Sequence, residues 1–206
     1  LYDAGIIPIF ISTDYVFDGK KGSYSEQDAR EPVLEYGRHK KEVEDYLMNS
    51  DSGPGPGRKY LIVRTAKLYS ISEEDDSIIS SVIKDLKSGK QLKMAVDQIF
   101  SPTYVEDVCK AIDILIDKKA TGCYNVCPDE AISRYELAKM IKQELGIKSR
   151  SIKPCSLNDF KFEDNRPLDT SMSNKKFKEL TGFRFTTIKE AIDKIKQTKI
   201  KQVKKN

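Results

Sequence analysis

The chain has 206 residues, of which 33% are charged and 38% hydrophobic, and its formal net charge is +4. No apolar run is long enough to span a membrane, and the basic run at 194–205 lacks the interleaved aromatics of a nucleic-acid site. These features favour a cytoplasmic protein without membrane or nucleic-acid partners. The four cysteines lack C-x-x-C spacing, so we expect buried, reduced thiols and no metal: Cys109, Cys123, Cys127 and Cys155.

Strands and helices alternate along the first part of the chain. The continuous apolar run 6–12 predicts a strand that is buried on both faces of a parallel sheet. Residues 36–48 are predicted to be helical, and 60–64 to form the next buried strand. We expect the two strands to be adjacent and parallel, with the helix packed across them.

The predicted helix 36–48 carries an apolar stripe formed by Val43, Tyr46 and Leu47. The segment that follows, 49–59, is rich in glycine, proline and serine, which predicts a loop. We interpret this loop as a surface insertion without a catalytic role.

The later part of the chain mixes short strands with helices. Ser133 and Glu136 predict a capping box, and Gly89 and Gly146 predict helix ends. The predicted helices are 78–88, 105–117, 133–145, 175–180 and 188–195, and the predicted strands are 91–96 and 124–126. The pattern is typical of an α/β fold: the C-terminal portion of a doubly wound parallel-sheet (Rossmann-like) domain with a smaller α/β substrate lobe.

Tyr36 and Lys40 are four residues apart, which places them on one helix face. A phenol is a poor acid at neutral pH, but a neighbouring ammonium stabilises the phenolate and so suits proton exchange with a substrate oxygen. Thr13, at the end of the first predicted strand, supplies a hydroxyl that can hold the same oxygen. Together these groups can polarise a carbonyl while another group delivers hydride.

Several motifs occur along the chain in a fixed order. They are ISTDYVFDG at 11–19, YGRHK at 36–40, VRT at 63–65, DQIFSPT at 97–103, SRYELA at 133–138 and NRP at 165–167. This series resembles the dTDP-4-dehydrorhamnose reductase family of the extended short-chain dehydrogenase/reductases. The likeness extends roughly from residue 6 to residue 188.

The resemblance implies the reduction of the 4-keto group of a nucleotide-linked 6-deoxysugar with NADPH or NADH, and it is compatible with a homodimer. It implies that Thr13, Tyr36 and Lys40 are catalytic, with Lys40 also holding the nicotinamide ribose. The implied cofactor-binding residues are Tyr36, Lys40 and Arg64, and the implied substrate-binding residues are Thr13, Asp14, Phe17, Gln98, Thr103 and Arg166. Arg166 would pair with the substrate diphosphate, because a guanidinium binds phosphate oxygens as a fork.

In this interpretation, residues 1–70 form the second half of the dinucleotide-binding domain, and residues 71–206 form mainly the substrate lobe. Family members begin with a strand and a glycine-rich turn that binds the cofactor pyrophosphate, and this sequence contains no such turn. The resemblance therefore implies that roughly 80 to 100 residues of the dinucleotide-binding half precede this segment or are absent from it. We expect the 206 residues alone to bind cofactor weakly and to associate through an uncovered sheet edge.

Two positions near these motifs need separate comment. Lys67 stands where these reductases often carry a tryptophan, so a surface for the sugar is lost and the identity of the sugar is open. His39 is the single histidine and lies beside Lys40. We expect His39 to be exposed and to have no catalytic role.

Two other functions stay open. A nucleotide-sugar epimerase or dehydratase would share the Thr-Tyr-Lys set, although a dehydratase would want acidic residues beside Thr13, where only Asp14 is offered. A non-catalytic subunit similar to the β subunit of methionine adenosyltransferase would bind a dinucleotide and act through a partner surface. The motifs at 97–103 and 165–167 favour the reductase.

Overall fold

The computed structural model describes residues 1, 4–49, 57–72, 75–148 and 151–203, with side chains up to residue 198. Most of the predicted insertion, residues 50–56, lies outside the described residues. Within the described part of the chain, no helix is both long and apolar enough to cross a membrane.

A parallel three-stranded sheet is the centre of the described fold. Strand β2 (Leu61–Thr65) lies between β1 (Ile9–Thr13) and β7 (Gly122–Asn125). Thr13 pairs with Thr65, so β1 and β2 end at the same level. The prediction of two adjacent parallel strands is confirmed, although the first strand begins three residues later than predicted.

Short strands form three further pairs among the described residues. They are β3 (Leu68–Tyr69) with β6 (Thr103–Tyr104), β4 (Lys93–Ala95) with β9 (Lys153–Cys155), and β5 (Ile99–Phe100) with β8 (Ile132–Ser133). The first two pairs are parallel and the third is antiparallel.

All six predicted helices are present. They are α1 (Glu35–Met48), α2 (Ile78–Lys87), α3 (Val105–Asp117), α4 (Arg134–Glu144), α5 (Lys175–Thr181) and α6 (Ile188–Val203). Helix α6 extends eight residues beyond its predicted end at Ile195, because its lysines and glutamines are good helix formers.

Local signals set several of these helix ends. Gly89 and Gly146 adopt φ of +72° and +62° after α2 and α4, as expected of C-terminal glycines. At the start of α4, the Ser133 hydroxyl accepts from the Glu136 amide at 3.1 Å. The Glu136 carboxylate pairs with Lys139 instead of returning to Ser133, so only half of the predicted capping box forms.

Helices cover both faces of the central sheet. Leu47 of α1 packs with Ile62 on one face. Val63 points to the other face and packs in one cluster with Leu115 of α3 and Phe177 of α5. A separate core joins α2, α4 and α6. The division of the chain near residue 70 stays a prediction.

Strand β1 lies at an edge of the described sheet, and one of its faces is open. Ile9 and Ile11 are 40% and 39% exposed. The apolar cluster that covers β2 and β7 on that face does not include them. The prediction that this strand is buried on both faces is therefore wrong.

Of the apolar stripe predicted on helix α1, only Leu47 is buried. Val43 and Tyr46 are exposed, whereas Gly37, Glu44 and Leu47 are buried. The prediction was wrong for Val43 and Tyr46. The helix buries the Glu44 carboxylate, and a pattern of apolar residues does not identify a buried carboxylate.

Glu44 and Arg64 form a completely buried ion pair that joins α1 to β2. Arg64 Nε donates to Oε1 at 2.9 Å and Nη2 donates to Oε2 at 2.7 Å, so the pairing is bidentate. Arg30 Nη1 adds a third donor at 3.1 Å. The Arg64 guanidinium also lies 5.2 Å from the Phe17 ring centroid. These contacts fix the second half of α1 against the sheet.

Gly37 fixes the first half of α1. A Cβ at this position would lie 2.1 Å from the Tyr15 carbonyl oxygen and 2.9 Å from Pro32 Cβ. Only glycine allows the helix to approach the turn after β1 this closely.

We expect Glu44→Ala to lower the free energy of unfolding by about 3 to 5 kcal/mol, because it leaves the Arg64 charge buried without a carboxylate. Glu35→Ala is the matched control on the same helix, since Glu35 pairs with Arg38 in solvent. Glu35→Ala should lower the free energy of unfolding by less than about 1 kcal/mol. Urea denaturation measures the free energy of unfolding of the two variants. Equal losses of stability in Glu44→Ala and Glu35→Ala would contradict a structural role for the buried pair.

Candidate active site

An open cavity of about 310 Å³ lies at the carboxyl ends of β1 and β2, where ligands bind in open α/β sheets. It brings together Thr13, Asp14, Tyr36, Lys40 and Gln98 from the predicted set. The common end of the two strands, at the Thr13–Thr65 pair, places these groups from separate elements around one space.

Tyr36 and Lys40 lie one turn apart on α1. Tyr36 is 53% exposed, so its phenol is accessible from the cavity. Lys40 Nζ donates to the Ile11 carbonyl oxygen at 2.8 Å and lies 5.8 Å from the Tyr36 ring centroid. This bond holds the ammonium beside the phenol, where it can stabilise a phenolate.

Thr13 is hydrogen-bonded on both sides. Its hydroxyl accepts from the Tyr15 amide at 3.2 Å and donates to Asp14 Oδ1 at 2.9 Å. Thr170 donates to the other Asp14 oxygen at 2.6 Å. Burial raises the pKa of Asp14 to about 6, although the hydrogen bonds from Thr170 and Thr13 oppose the rise. Because Thr13 has one hydroxyl proton, Asp14 and a ligand oxygen would compete for its hydrogen bond.

Part of the cavity wall is basic. Arg134 donates to the Gln98 side chain, and its guanidinium lies 5.7 Å from the Phe100 ring centroid. Lys67 lines the same wall. Partial desolvation and the neighbouring Arg134 and Arg166 guanidinium groups lower the pKa of Lys67. This wall is suited to an anionic ligand.

Arg166 lies on an exposed segment beside this wall. Its guanidinium is 4.5 Å from the Phe162 ring centroid, and it is close enough to Tyr15 to affect the pKa of that phenol. A substrate-binding role for Arg166 stays a prediction.

Three of the predicted site residues are in the interior. Arg64 is held by Glu44, so it cannot reach a cofactor without breaking the buried ion pair. Phe17 is completely buried and stacks on Tyr24 with ring centroids 4.3 Å apart. Thr103 is also completely buried and donates to the Ser101 carbonyl oxygen at 3.0 Å. Each of these side chains has partners within the fold, and their assignment to cofactor or substrate binding stays a prediction.

Sequence reasoning also missed residues that line the cavity. Tyr15 and Arg134 lie inside motifs and could have been chosen from them. Thr170 is 156 residues from Asp14 and no local pattern indicates it.

The prediction that His39 is exposed is confirmed, and His39 lies 3.1 Å from Glu35. Of the cysteines, Cys123 and Cys127 are buried as expected, but Cys109 is exposed and Cys155 is partly exposed. For these last two, the prediction of burial was wrong.

Comparison with known proteins identifies the family. A family model described as the RmlD substrate binding domain matches residues 2–200. The chain belongs to this family. It is 29% identical over 187 residues to the spore coat polysaccharide biosynthesis protein SpsK of Bacillus subtilis, covering 89% of this chain and 62% of that protein.

A crystal structure of dTDP-4-dehydrorhamnose reductase from Bacillus anthracis in complex with NADP is similar, with a TM-score of 0.79 and 28% identity. The match covers 93% of this chain and 65% of that one. Methionine adenosyltransferase 2 subunit beta of Bos taurus is 29% identical over 157 residues, covering 73% of this chain and 45% of that protein. The chain thus spans less than two thirds of each of these proteins. The predicted Rossmann-like α/β fold is confirmed.

The buried Asp14 generates a pH-dependent prediction. Its folded pKa of about 6 lies above the ordinary value of 3.8, so between these pH values the folded state binds more protons than the unfolded state. Stability from Asp14 is therefore lost as the pH rises through this window. We expect the unfolding free energy of Asp14→Asn, relative to the unchanged protein, to rise by up to about 3 kcal/mol from pH 4 to pH 7.

Asp18→Asn is the control, because the hydrogen bond from Tyr24 lowers the pKa of Asp18. Its relative stability should fall as the pH rises through the acidic range. Denaturation at several pH values measures both variants. A pH-independent difference for Asp14→Asn would show that its carboxyl titrates normally.

Proposed function

We propose that the complete protein reduces the 4-keto group of a nucleotide-linked 6-deoxysugar with NADPH or NADH. The observation that carries this proposal is the convergence of Thr13, Tyr36 and Lys40 on one cavity. Membership of the RmlD substrate binding domain family supports the substrate class. The NADP complex of the Bacillus anthracis reductase supports the cofactor.

The residues present fit a nicotinamide nucleotide. The Lys40 ammonium has three N–H donors, and one of them is bonded to the Ile11 carbonyl. The others can bind the hydroxyl groups of a ribose, as can the exposed Tyr36 hydroxyl. When bound, NADPH or NADH supplies the hydride.

The chain's own residues handle the proton. As the keto carbon accepts hydride, its oxygen takes up the electron pair of the C=O π bond and receives a proton from Tyr36. Lys40 stabilises the phenolate that remains. Thr13 turns its O–H from Asp14 towards the same oxygen, and Asp14 keeps the hydrogen bond from Thr170.

A second candidate is a regulatory subunit that binds a dinucleotide without turnover. The similarity to methionine adenosyltransferase 2 subunit beta favours it. By resemblance that subunit carries a similar Tyr-Gly-x-x-Lys motif, so Tyr36 and Lys40 do not exclude it, and the motifs at 97–103 and 165–167 favour the reductase. An epimerase or dehydratase has weaker support, since the acid beside Thr13 is already bonded to two threonines.

In the complete polypeptide, we expect Tyr36→Phe to lower kcat for a nucleotide-linked 4-keto-6-deoxysugar by roughly 10²-fold or more, because the transferable proton is lost. Cofactor affinity should change little. Lys40→Ala should impair both turnover and cofactor binding, since Lys40 serves both.

Tyr46→Phe is the matched control, because Tyr46 is on the same helix and is also 53% exposed. Its steady-state kinetics should be unchanged. Retention of most activity by Tyr36→Phe would exclude Tyr36 as the acid, and an inactive parent protein that still binds NADPH would favour the regulatory subunit.

A polypeptide of these 206 residues alone should bind NADPH weakly at best, as measured by calorimetry. The reason is that it contains no glycine-rich turn to bind the pyrophosphate. The uncovered sheet edge at β1 should also promote association, seen by light scattering. Tight binding by a monodisperse monomer would contradict both expectations.

A further inference from the structure

Thr170 is buried in the wall of the cavity, and its hydroxyl reaches the residue that follows β1. Thr170 and Asp14 are 3% and 4% exposed, and both line the cavity. Thr170 Oγ1 donates to Asp14 Oδ2 at 2.6 Å. Because both residues are almost completely buried, this bond belongs to the fold and not to the solvated surface.

The backbone on either side of this hydroxyl is held by main-chain pairing. The Thr170 amide donates to the Ile99 carbonyl oxygen at 3.0 Å, and the Ile99 amide donates to the Leu168 carbonyl oxygen at 2.6 Å. Residues 168–170 thus pair with β5 in parallel. This pairing fixes the Thr170 hydroxyl against Asp14.

The two oxygens of Asp14 have different partners. Oδ2 accepts from Thr170, and Oδ1 accepts from Thr13 at 2.9 Å. Among the described residues, Oδ2 is the one acceptor to which the Thr170 hydroxyl is bonded. A proton on Oδ2 would leave that hydroxyl without an acceptor, so a proton taken up by Asp14 is directed to Oδ1, the oxygen that faces Thr13.

The state of Oδ1 determines where the Thr13 hydroxyl points. Thr13 Oγ1 can accept two hydrogen bonds and donate one, and it already accepts from the Tyr15 amide at 3.2 Å. When a protonated Oδ1 donates to Thr13, both acceptor positions of Oγ1 are filled. The Thr13 proton is then left for a ligand oxygen in the cavity, which Thr13 lines.

We infer that Thr170 is a positioning residue: through its bond to Asp14, it determines whether the Thr13 hydroxyl is directed at that carboxyl group or at the keto oxygen of the sugar. This inference rests on the proposed function and adds a residue to it. Thr170 stabilises ionised Asp14, to which Thr13 donates. The proton that reaches the sugar comes from Tyr36, and Asp14 keeps its own.

The ionisable groups near Asp14 set the pH at which Thr13 changes direction. Burial raises the pKa of Asp14 to about 6, although the charge of Lys67, beyond the end of β2, opposes the rise. Tyr15 and Cys127 are neutral in this range, because burial raises the pKa of both. Lys40 of α1 lines the same cavity. The Thr13 proton should therefore be available to the sugar below about pH 6 and held by Asp14 above it.

The pH dependence of hydride transfer in the complete polypeptide tests the inference. The measurement is the single-turnover rate of NADPH oxidation with a nucleotide-linked 4-keto-6-deoxysugar. In the unchanged protein, the rate should fall about tenfold as the pH rises through about 6, because ionised Asp14 then takes the Thr13 hydrogen bond. Asp14→Asn should not show this fall, because its side chain does not titrate.

Thr170→Val should move the midpoint of the fall to higher pH by about one unit, because ionised Asp14 loses a hydrogen bond. It should retain most of the rate at about pH 5, where Asp14 is protonated, whereas damage to the fold would lower the rate at every pH. Thr170→Ala removes the same hydroxyl and should give the same shift. Thr170→Ser keeps the hydroxyl and should leave the midpoint where it is.

Thr186→Val is the matched control, because Thr186 also donates to a buried carboxylate, that of Asp107 at 3.2 Å, and lies outside the cavity lining. Its midpoint should not move. The inference fails if the midpoint is unchanged in Thr170→Val and Thr170→Ala, if the fall persists in Asp14→Asn, or if Thr186→Val gives an equal shift. If the unchanged protein does not turn over the sugar, the proposed function fails and the inference fails with it.

Discussion

Two contacts about two turns apart hold helix α1 in a single position on the sheet. At one, Gly37 lies so close to the Tyr15 carbonyl that no side chain fits between them. At the other, Glu44 accepts two hydrogen bonds from Arg64 of β2. Displacing the helix would leave a buried charge unpaired, which costs several kcal/mol. The positions of Tyr36 and Lys40 relative to Thr13 are therefore set by two residues of α1 that lie outside the cavity lining.

The central fold could be predicted because its signals are local. The apolar runs before Thr13 and Thr65 indicate strands, and caps and glycines mark the helices. The buried face of α1 could not be predicted, because Glu44 is compatible with the interior only when Arg64, 20 residues later, is opposite to it. The same pairing occupies the Arg64 guanidinium, for which the resemblance implied a cofactor-binding role.

In the candidate site, too, some residues could be predicted from local motifs and others could not. Thr13, Tyr36 and Lys40 could be predicted from motif spacing, since a strand end and one helix turn position them. Phe17 and Thr103 share those motifs, but they serve the fold, and a motif alone does not separate side chains facing the cavity from side chains facing the core. Thr170 reaches Asp14 only through the tertiary structure.

Asp14 links the charge of the cavity to the hydroxyl of Thr13. When Asp14 is ionised, it accepts the Thr13 proton, which is then less available to a substrate oxygen. When Asp14 is protonated, it can donate to Thr13 and leave the Thr13 proton free. The positive charge of Lys67 favours the ionised form. Burial acts in the opposite direction and is the larger effect, so the pKa of Asp14 is about 6 and the protonated form, which leaves the Thr13 proton free for a ligand oxygen, is populated near that pH.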